Sequence, residues 1–166
     1  MKLIAIDLDG TLLSKDGIIS EENVRALQDA QKQGHVVTIC TGRSLIDAKQ
    51  ILQNVGIDCP MITGNGAVSY YDNKLIQEWT LKPELVTELL SLVESQQFFY
   101  QIYTNKGTFM VHDGRDRLES EIEKQIAADP DFPAEWARKE VDIEYAQHGL
   151  LPYEQFEQNT GLPVNK

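Results

Sequence analysis

The chain has 166 residues, of which 42% are hydrophobic, and a formal net charge of −11. This composition suits one domain or two small ones with an apolar core, and no apolar stretch approaches the ~20 residues that cross a bilayer. The charge argues against nucleic-acid and anionic-membrane surfaces, because such partners bind basic faces. A site for an anionic substrate must therefore obtain positive charge locally, from a metal ion, helix N-termini or an arginine.

Two features of the sequence predict a cytoplasmic protein. The apolar run within residues 1–6 ends at the charged Asp7 and is too short for the apolar core of a signal peptide. Cys40 and Cys59 are the only cysteines, and each lies beside an apolar segment. We therefore expect two buried thiols in a reducing compartment rather than a disulfide framework.

The first 80 residues contain short apolar or β-branched runs that are typical of strands. Three such runs predict parallel strands, at 3–6, 35–40 and 60–63. We expect the first of them to be buried on both faces, as strands of parallel sheets are. Two further runs, 67–71 and 75–79, flank Asp72-Asn73-Lys74 and predict a hairpin.

Two amphipathic helices are predicted between the parallel strands. Ser20 is a suitable N-cap for the first helix, Gly34 ends it, and a small hairpin flap with Gly17 at its tip precedes it. Ser44 and Asp47 form a start like a capping box for the second helix. This alternation of strand and helix predicts right-handed βαβ units and an α/β fold.

The pattern changes near Thr80, where the βα alternation gives way to an α+β order. The predicted elements are a helix from Pro83, strands at 98–103 and 108–112, and a helix through Ile122. Residues 134–147 have mixed periodicity, which leaves a short helix or a strand open there. A change of this kind indicates a second domain.

Two features of the second half are interpreted as structural. Asp113-Gly114-Arg115-Asp116 is acidic, but it follows a predicted strand and is interpreted as a surface turn. The aromatic residues of 98–103, together with Trp79 and Trp136, are expected in the core, although one of the strand's rings could line a substrate pocket. The three histidines show no ligand spacing and are assigned no role.

The end of the first predicted strand carries two carboxylates, Asp7 and Asp9, separated by one residue. Open α/β sheets bind ligands at the carboxyl ends of their parallel strands. Two carboxylates held this close repel each other, and Mg²⁺, which prefers oxygen ligands, is the usual compensation. Gly10 lets the main chain turn so that its N–H groups face an anion, and Thr11 can anchor that turn. These residues predict a site for Mg²⁺ and a phosphate.

Polar residues also follow the other two parallel strands. Thr41-Gly42-Arg43 lies directly before a helix whose free N–H groups favour a phosphate. Thr41 either donates to that phosphate or caps the helix, and Arg43 either contacts substrate or cap or pairs with a core carboxylate. Asn65, between two glycines, either orients the substrate or tolerates a tight turn. We expect the three strand ends to converge on one anion.

These motifs resemble those of a known family. Asp7-Leu8-Asp9-Gly10-Thr11-Leu12 looks like the first signature motif of the haloacid dehalogenase (HAD) superfamily, and Thr41-Gly42-Arg43 resembles the second. The stretch from Ile62 to Ala67 looks like the one that follows in Cof-type phosphatases. The resemblance implies a Rossmann-like parallel-sheet core in residues 1–80, followed by part of an α+β cap domain in residues 81–166.

The resemblance also implies a function, a Mg²⁺-dependent phosphatase of small phosphorylated metabolites such as sugar phosphates or nucleotides. Asp7 would be the nucleophile and Asp9 the general acid and base. The Asp7 side chain and the Asp9 backbone carbonyl would ligate Mg²⁺. The phosphate-binding residues would be Leu8, Gly10, Thr41, Gly42, Arg43 and Asn65.

Members of that family continue after the cap into a third-motif lysine and a fourth motif with further metal-binding aspartates. Neither is found in these 166 residues. We therefore expect the C-terminal part of the core to be absent from this chain, and little turnover by the chain alone. Two alternatives stay open, a non-catalytic fragment and a phosphoacceptor module like a receiver domain. An open sheet edge would also favour pairing with another copy or with a complementary fragment.

Overall fold

A computed structural model describes residues 1–154 and 163–166. Two compact units are present, Met1–Thr80 with Asn165, and Leu81–Val164 with Lys166. The helices are α1 (Glu21–Lys32), α2 (Leu45–Asn54), α3 (Pro83–Ser95), α4 (Gly114–Ala128) and α5 (Ala134–Tyr145). The strands are β1 (Leu3–Ile6), β2 (Val36–Cys40), β3 (Met61–Thr63), β4 (Val68–Tyr71), β5 (Lys74–Glu78), β6 (Gln101–Thr104), β7 (Gly107–Val111) and β8 (Leu150–Tyr153). The predicted α/β class is confirmed.

The first unit is built on a five-stranded sheet in the order β1-β2-β3-β4-β5. Strands β1, β2 and β3 are parallel, with α1 and α2 as their crossover connections, whereas β4 and β5 are antiparallel. The β4–β5 turn has φ of 48° at Asp72 and 56° at Asn73, the left-handed conformation that tight hairpins require. Because the first three strands are parallel, the residues that follow them share one edge of the sheet.

Capping and apolar burial explain the helices of this unit. The Ser20 hydroxyl accepts a hydrogen bond from the Asn23 N–H at 3.2 Å, and the Ser44 hydroxyl accepts one from the Asp47 N–H at 3.3 Å. Both N-caps were predicted from the sequence. The buried side chains of the core include Leu8, Leu27, Val37, Ile39, Leu52 and Met61. Burying each of them contributes roughly 1.5–3 kcal/mol to the stability of the fold.

Strand β1 differs from its prediction. Its residues alternate between exposed and half-buried, and Leu3 is 71% exposed. Within the described part of the chain β1 pairs only with β2, so it forms an edge of the sheet. The expectation of a strand buried on both faces is therefore wrong. The apolar run indicates a strand correctly, but it does not report which neighbours cover that strand.

The second unit contains a three-stranded sheet in the order β6-β7-β8. Strands β6 and β7 form the predicted hairpin, and β8 pairs parallel to β7. Its apolar core includes Val86, Ile102, Phe109, Val111, Tyr153 and Val164. Residues 134–147 prove to be mainly helical, as α5. Strand β8 was not predicted, because its four residues include a proline, which argues against a strand.

Two interpretations of the second half are corrected. The segment Asp113-Gly114-Arg115-Asp116 is not a surface turn, because Gly114 begins α4 and is buried. A Cβ atom at Gly114 would lie 2.8 Å from the Tyr145 hydroxyl, which explains why a glycine opens this helix. Trp79, Trp136 and Phe98 are 65%, 59% and 53% exposed and do not belong to the core, contrary to expectation.

Cys40 and Cys59 are both free thiols. Cys59 is buried, as expected, whereas Cys40 is only half-buried, and burial raises the pKa of Cys59 to about 11. A thiol with a raised pKa is largely protonated at neutral pH and therefore unreactive. Among residues 1–154 and 163–166, no helix has the length and apolar character that crossing a membrane requires.

Candidate active site

The residues after β1 form a tight turn that is anchored in the core. The Leu12 N–H donates to the Asp7 carbonyl at 3.3 Å, and the Leu13 N–H donates to the Leu8 carbonyl at 2.8 Å. Leu8 and Leu12 are buried, whereas Asp7 and Asp9 are exposed. The turn therefore uses its apolar residues as an anchor and presents its carboxylates to solvent.

Gly10 allows this turn to close. Its φ is 68° and its ψ is 3°, in the left-handed region that side-chain-bearing residues rarely adopt. The space around a Cβ at Gly10 is open, so backbone strain rather than a clash selects glycine here. The sequence prediction that Gly10 bends the main chain agrees with this conformation.

Asp7 lies directly beyond β1, at the carboxyl end of the parallel strands. Its Oδ1 accepts a hydrogen bond from the Leu8 N–H at 2.7 Å. This bond fixes the orientation of a carboxylate that solvent can reach. An accessible, oriented carboxylate is what nucleophilic attack on a bound ester requires.

Asp9 is held by Arg43. The Arg43 Nε donates to one carboxylate oxygen of Asp9 at 2.8 Å, and NH2 donates to the other at 2.7 Å. The Asp9 side chain is 56% exposed and that of Arg43 only 12%. This two-pronged geometry restricts the Asp9 carboxylate to one orientation at the surface of the site.

Arg43 is itself held from the other side by Asp47, in the first turn of α2. The Arg43 NH1 donates to Asp47 Oδ2 at 2.5 Å, and the Asp47 side chain is 1% exposed. The hydrogen bonds that Arg43 donates to Asp9, and then the one that it donates to Asp47, raise the pKa of Arg43 above its ordinary value although burial lowers it. Arg43 is therefore a permanent cation between two carboxylates.

Main-chain hydrogen bonds join the loops that follow β2 and β3. The Gly64 N–H donates to the Arg43 carbonyl at 2.9 Å, and the Asn65 N–H donates to the Thr41 carbonyl at 3.3 Å. Asn65 has φ 57° and ψ 36°, so its side chain is attached to a left-handed turn. That conformation agrees with the tight-turn interpretation of Asn65, and its contact with substrate stays a prediction.

Thr41 has a local structural role that leaves its predicted role possible. Its hydroxyl oxygen accepts a hydrogen bond from the Arg43 N–H at 3.2 Å. Since a hydroxyl accepts and donates at the same time, this bond is compatible with donation to a phosphate. Gly42 lies between these two residues, on the same loop.

Two residues of this edge were not identified from the sequence. The sequence suggests Asp47 only as part of a helix cap, although an acid in the first turn of a helix, four residues after an arginine, is also a signal for an ion pair. Thr63 ends β3 and is fully buried, and its hydroxyl has no hydrogen-bond partner within residues 1–154 and 163–166. Such a hydroxyl can bind a ligand or a water molecule.

Replacing Arg43 with alanine should destabilise the first unit, because the buried Asp47 carboxylate loses its cation. Breaking a buried ion pair from one side costs about 3–5 kcal/mol. Urea unfolding of wild type and variant measures the difference. Arg25→Ala is the matched control, since Arg25 also pairs four residues apart with an acid, but its side chain and that of Glu21 are 72% and 89% exposed.

The control variant should lose no more than about 0.5 kcal/mol. The double variant Arg43→Ala/Asp47→Ala should regain much of the stability, because it removes the unpaired buried charge. Equal losses for Arg43→Ala and Arg25→Ala would contradict the importance of the buried pair.

The donor chemistry of the turn after β1 fits Mg²⁺. Mg²⁺ is typically held by one or two carboxylates, with waters and substrate phosphate oxygens as its other ligands. In the part of the chain that the structure describes, no group of three or more His, Cys, Asp or Glu side chains forms a metal cluster. Asp7 offers an exposed carboxylate, and the Asp9 carboxylate is occupied by Arg43. An oxygen-only set of this kind suits Mg²⁺ rather than Zn²⁺.

Comparisons with known proteins agree with this description. A family model for haloacid dehalogenase-like hydrolases matches residues 4–159. Phosphatase YwpJ of Bacillus subtilis is 33% identical over 159 residues, which cover 95% of this chain and 56% of that protein. YwtE of the same organism, a 5-amino-6-(5-phospho-D-ribitylamino)uracil phosphatase, is 33% identical over 92% of this chain and 53% of its own length.

A solved structure is similar over nearly the whole chain. It is that of a haloacid dehalogenase-like hydrolase from B. subtilis, with a TM-score of 0.79 and 31% identity. The match covers 99% of this chain and 59% of that one. The chain thus spans a little over half the length of the relatives and of the solved structure that it matches.

Proposed function

Because this chain belongs to the haloacid dehalogenase-like hydrolases, we propose that it is a Mg²⁺-dependent phosphatase of small phosphate esters. The observation that carries the proposal is the exposed, oriented Asp7 carboxylate at the carboxyl end of β1, beside Asp9. The phosphatase names of the relatives support the reaction class. The proposed substrates are metabolites such as sugar phosphates or nucleotides.

In the first step, an Asp7 carboxylate oxygen attacks the phosphorus of the bound ester. A bond forms between that oxygen and phosphorus, and the bond between phosphorus and the alcohol oxygen breaks. The departing alcohol oxygen takes a proton from one oxygen of the Asp9 carboxyl group, while the other oxygen keeps its hydrogen bond from Arg43, so the alcohol leaves neutral. Asp7 then carries the phosphoryl group as an acyl phosphate.

In the second step, water attacks the phosphorus of the acyl phosphate and gives a proton to the Asp9 carboxylate. The bond between phosphorus and the Asp7 oxygen breaks, which releases inorganic phosphate and restores the Asp7 carboxylate. The enzyme is therefore regenerated, with Asp9 protonated for the next ester. No other co-reactant is needed.

Two sources of positive charge offset the repulsion between Asp7 and the anionic ester. Asp7 and the Asp9 main-chain carbonyl would hold Mg²⁺, which when bound neutralises charge on the carboxylate and the phosphate oxygens. Thr41 and the main-chain N–H groups near Gly10 and Gly42 would donate hydrogen bonds to the phosphate. Asn65 would orient the bound ester.

The test measures phosphate release from p-nitrophenyl phosphate and from glycerol 2-phosphate by the 166-residue chain. Because little turnover is expected of the chain alone, we expect slow release with Mg²⁺, loss of that release with excess EDTA, and recovery when Mg²⁺ is added back. Release that is insensitive to EDTA would contradict the dependence on Mg²⁺. Absence of release from every ester of a phosphorylated-metabolite panel would contradict a phosphatase role for the chain.

A phosphoacceptor without turnover is the second candidate, because an exposed, oriented aspartate in an acidic pocket that could hold Mg²⁺ can also accept and retain a phosphoryl group. The distinguishing experiment is labelling with radioactive acetyl phosphate in the presence of Mg²⁺. A phosphatase releases the label as inorganic phosphate, whereas a phosphoacceptor retains it on Asp7. Persistent, stoichiometric label would favour the second candidate.

A further inference from the structure

The strongest unassigned feature of the first unit is a row of three charged residues that leads from the protein interior to the proposed acid. Asp47 is 1% exposed, Arg43 is 12% exposed and Asp9 is 56% exposed. Each contacts the next through hydrogen bonds of 2.5–2.8 Å. We propose that Asp47 is a positioning residue that acts through Arg43 to hold the Asp9 carboxylate in place for phosphoryl transfer. This inference rests on the proposed function.

Asp47 is well placed to orient a cation. It belongs to the first turn of α2, whose start is fixed by the bond from its own N–H to the Ser44 hydroxyl. A fully buried carboxylate is costly to desolvate unless a cation pairs with it. Arg43 is that cation, so the buried charge draws the guanidinium to one side of the site.

The guanidinium has little freedom once it is paired with Asp47. The Arg43 main chain is fixed at both its polar atoms, since its N–H donates to the Thr41 hydroxyl and its carbonyl accepts from the Gly64 N–H. A guanidinium is planar, so fixing NH1 on Asp47 sets the direction of the Nε and NH2 donors. Those two donors are the ones that hold Asp9.

The arrangement explains how a largely exposed acid keeps one orientation. An exposed aspartate ordinarily samples several rotamers, and each nonproductive rotamer reduces the fraction of substrate complexes that react. The forked contact from Arg43 selects one of them. The outer Asp9 thus depends on the inner Asp47, although no contact between their side chains is required.

The test compares wild type with Asp47→Asn, which keeps the size of the side chain and removes its charge. We expect kcat for glycerol 2-phosphate to fall by about 10–100-fold with KM nearly unchanged, because misplacement of a reacting group by ~1 Å can cost 10²-fold. Asp29→Asn is the matched control. Asp29 also pairs with a cation, since its carboxylate lies 3.2 Å from the Lys32 ammonium group. Unlike Asp47, however, the Asp29 side chain is 63% exposed. The kcat of Asp29→Asn should match wild type.

The double variant Asp9→Asn/Asp47→Asn separates positioning from a general structural effect. If Asp47 acts through Asp9, adding Asp47→Asn to Asp9→Asn should change kcat by less than about twofold, since the residue to be positioned is already lost. A further loss of tenfold or more in the double variant would overturn the proposal. An unchanged kcat in the single variant would overturn it as well.

Carbon-13 NMR of the Asp9 carboxyl group gives a readout that does not depend on turnover. Asp47→Asn should move the Asp9 Cγ resonance, and Asp29→Asn should leave it in place. Absence of phosphate release together with a moved resonance would reject the proposed function and keep the positioning contact. An unmoved Asp9 resonance would reject the positioning role, whatever the activity.

Discussion

Substituting Asp7 with asparagine should abolish phosphate release, with a loss on the order of 10⁴-fold or more in kcat, because an amide has no carboxylate oxygen that can attack phosphorus. The fold should tolerate the change, since Asp7 is exposed and the asparagine side-chain oxygen can still accept the Leu8 N–H. The measurement is phosphate release from p-nitrophenyl phosphate at saturating Mg²⁺, with urea unfolding of the same variant as a check on stability.

Two controls make the Asp7 result specific. Asp29→Asn removes the same charge from an exposed helix position and should release phosphate like wild type. Radioactive acetyl phosphate should label wild type transiently and yield inorganic phosphate, and Asp7→Asn should show neither the label nor the release. If the asparagine variant released phosphate at the wild-type rate, Asp7 would not be the nucleophile and the mechanism would be wrong.

The fold of the first unit could be predicted because its signals are local. Short apolar runs, N-capping serines and glycines at helix ends depend on neighbouring residues only, and each predicted strand and helix of residues 1–80 is present with small shifts at its ends. The HAD family was also predicted, and the family match confirms it. The Asp7 motif carries that resemblance because it joins an apolar strand, two acids and a glycine in one segment.

The incorrect predictions concern burial and strand pairing, which depend on tertiary structure. Leu3 lies in an apolar run, yet it is 71% exposed, because burial depends on which elements pack against a strand. Trp79 and Trp136 are exposed as well, which shows that a large apolar side chain is not by itself evidence of a place in the core. Strands β7 and β8 pair although they lie about 40 residues apart in the sequence. The four residues of β8 contain no pattern that predicts this pairing.

The candidate site shows the same division between local and long-range information. The turn at Gly10 and the left-handed Asn65 follow from residue types that the sequence displays. The contact between Asp9 and Arg43 joins residues 34 positions apart, and the sequence left open whether Arg43 met substrate, cap or a carboxylate. The site roles, the assignment of residues 81–166 to a cap, a cytoplasmic location and self-association through the open edge at β1 stay predictions.

Replacing Asp9 with asparagine should impair the cleavage of alkyl phosphates much more than that of p-nitrophenyl phosphate. An alkoxide is a poor leaving group and needs the proton that Asp9 is proposed to supply, whereas nitrophenolate departs readily without it. General acid catalysis is ordinarily worth about 10²–10⁴-fold, so we expect kcat/KM for glycerol 2-phosphate to fall by that factor. For p-nitrophenyl phosphate we expect a fall of about tenfold or less.

The comparison uses kcat/KM because this quantity covers only the steps up to transfer of the phosphoryl group to Asp7. The second role proposed for Asp9, as the base for water, would be common to both substrates and would affect kcat alone when acyl-phosphate hydrolysis limits turnover. The two substrates thus isolate the acid role from the base role. Equal losses of kcat/KM on both esters would show that Asp9 holds the cation or the fold of the turn rather than donating a proton to the departing alcohol.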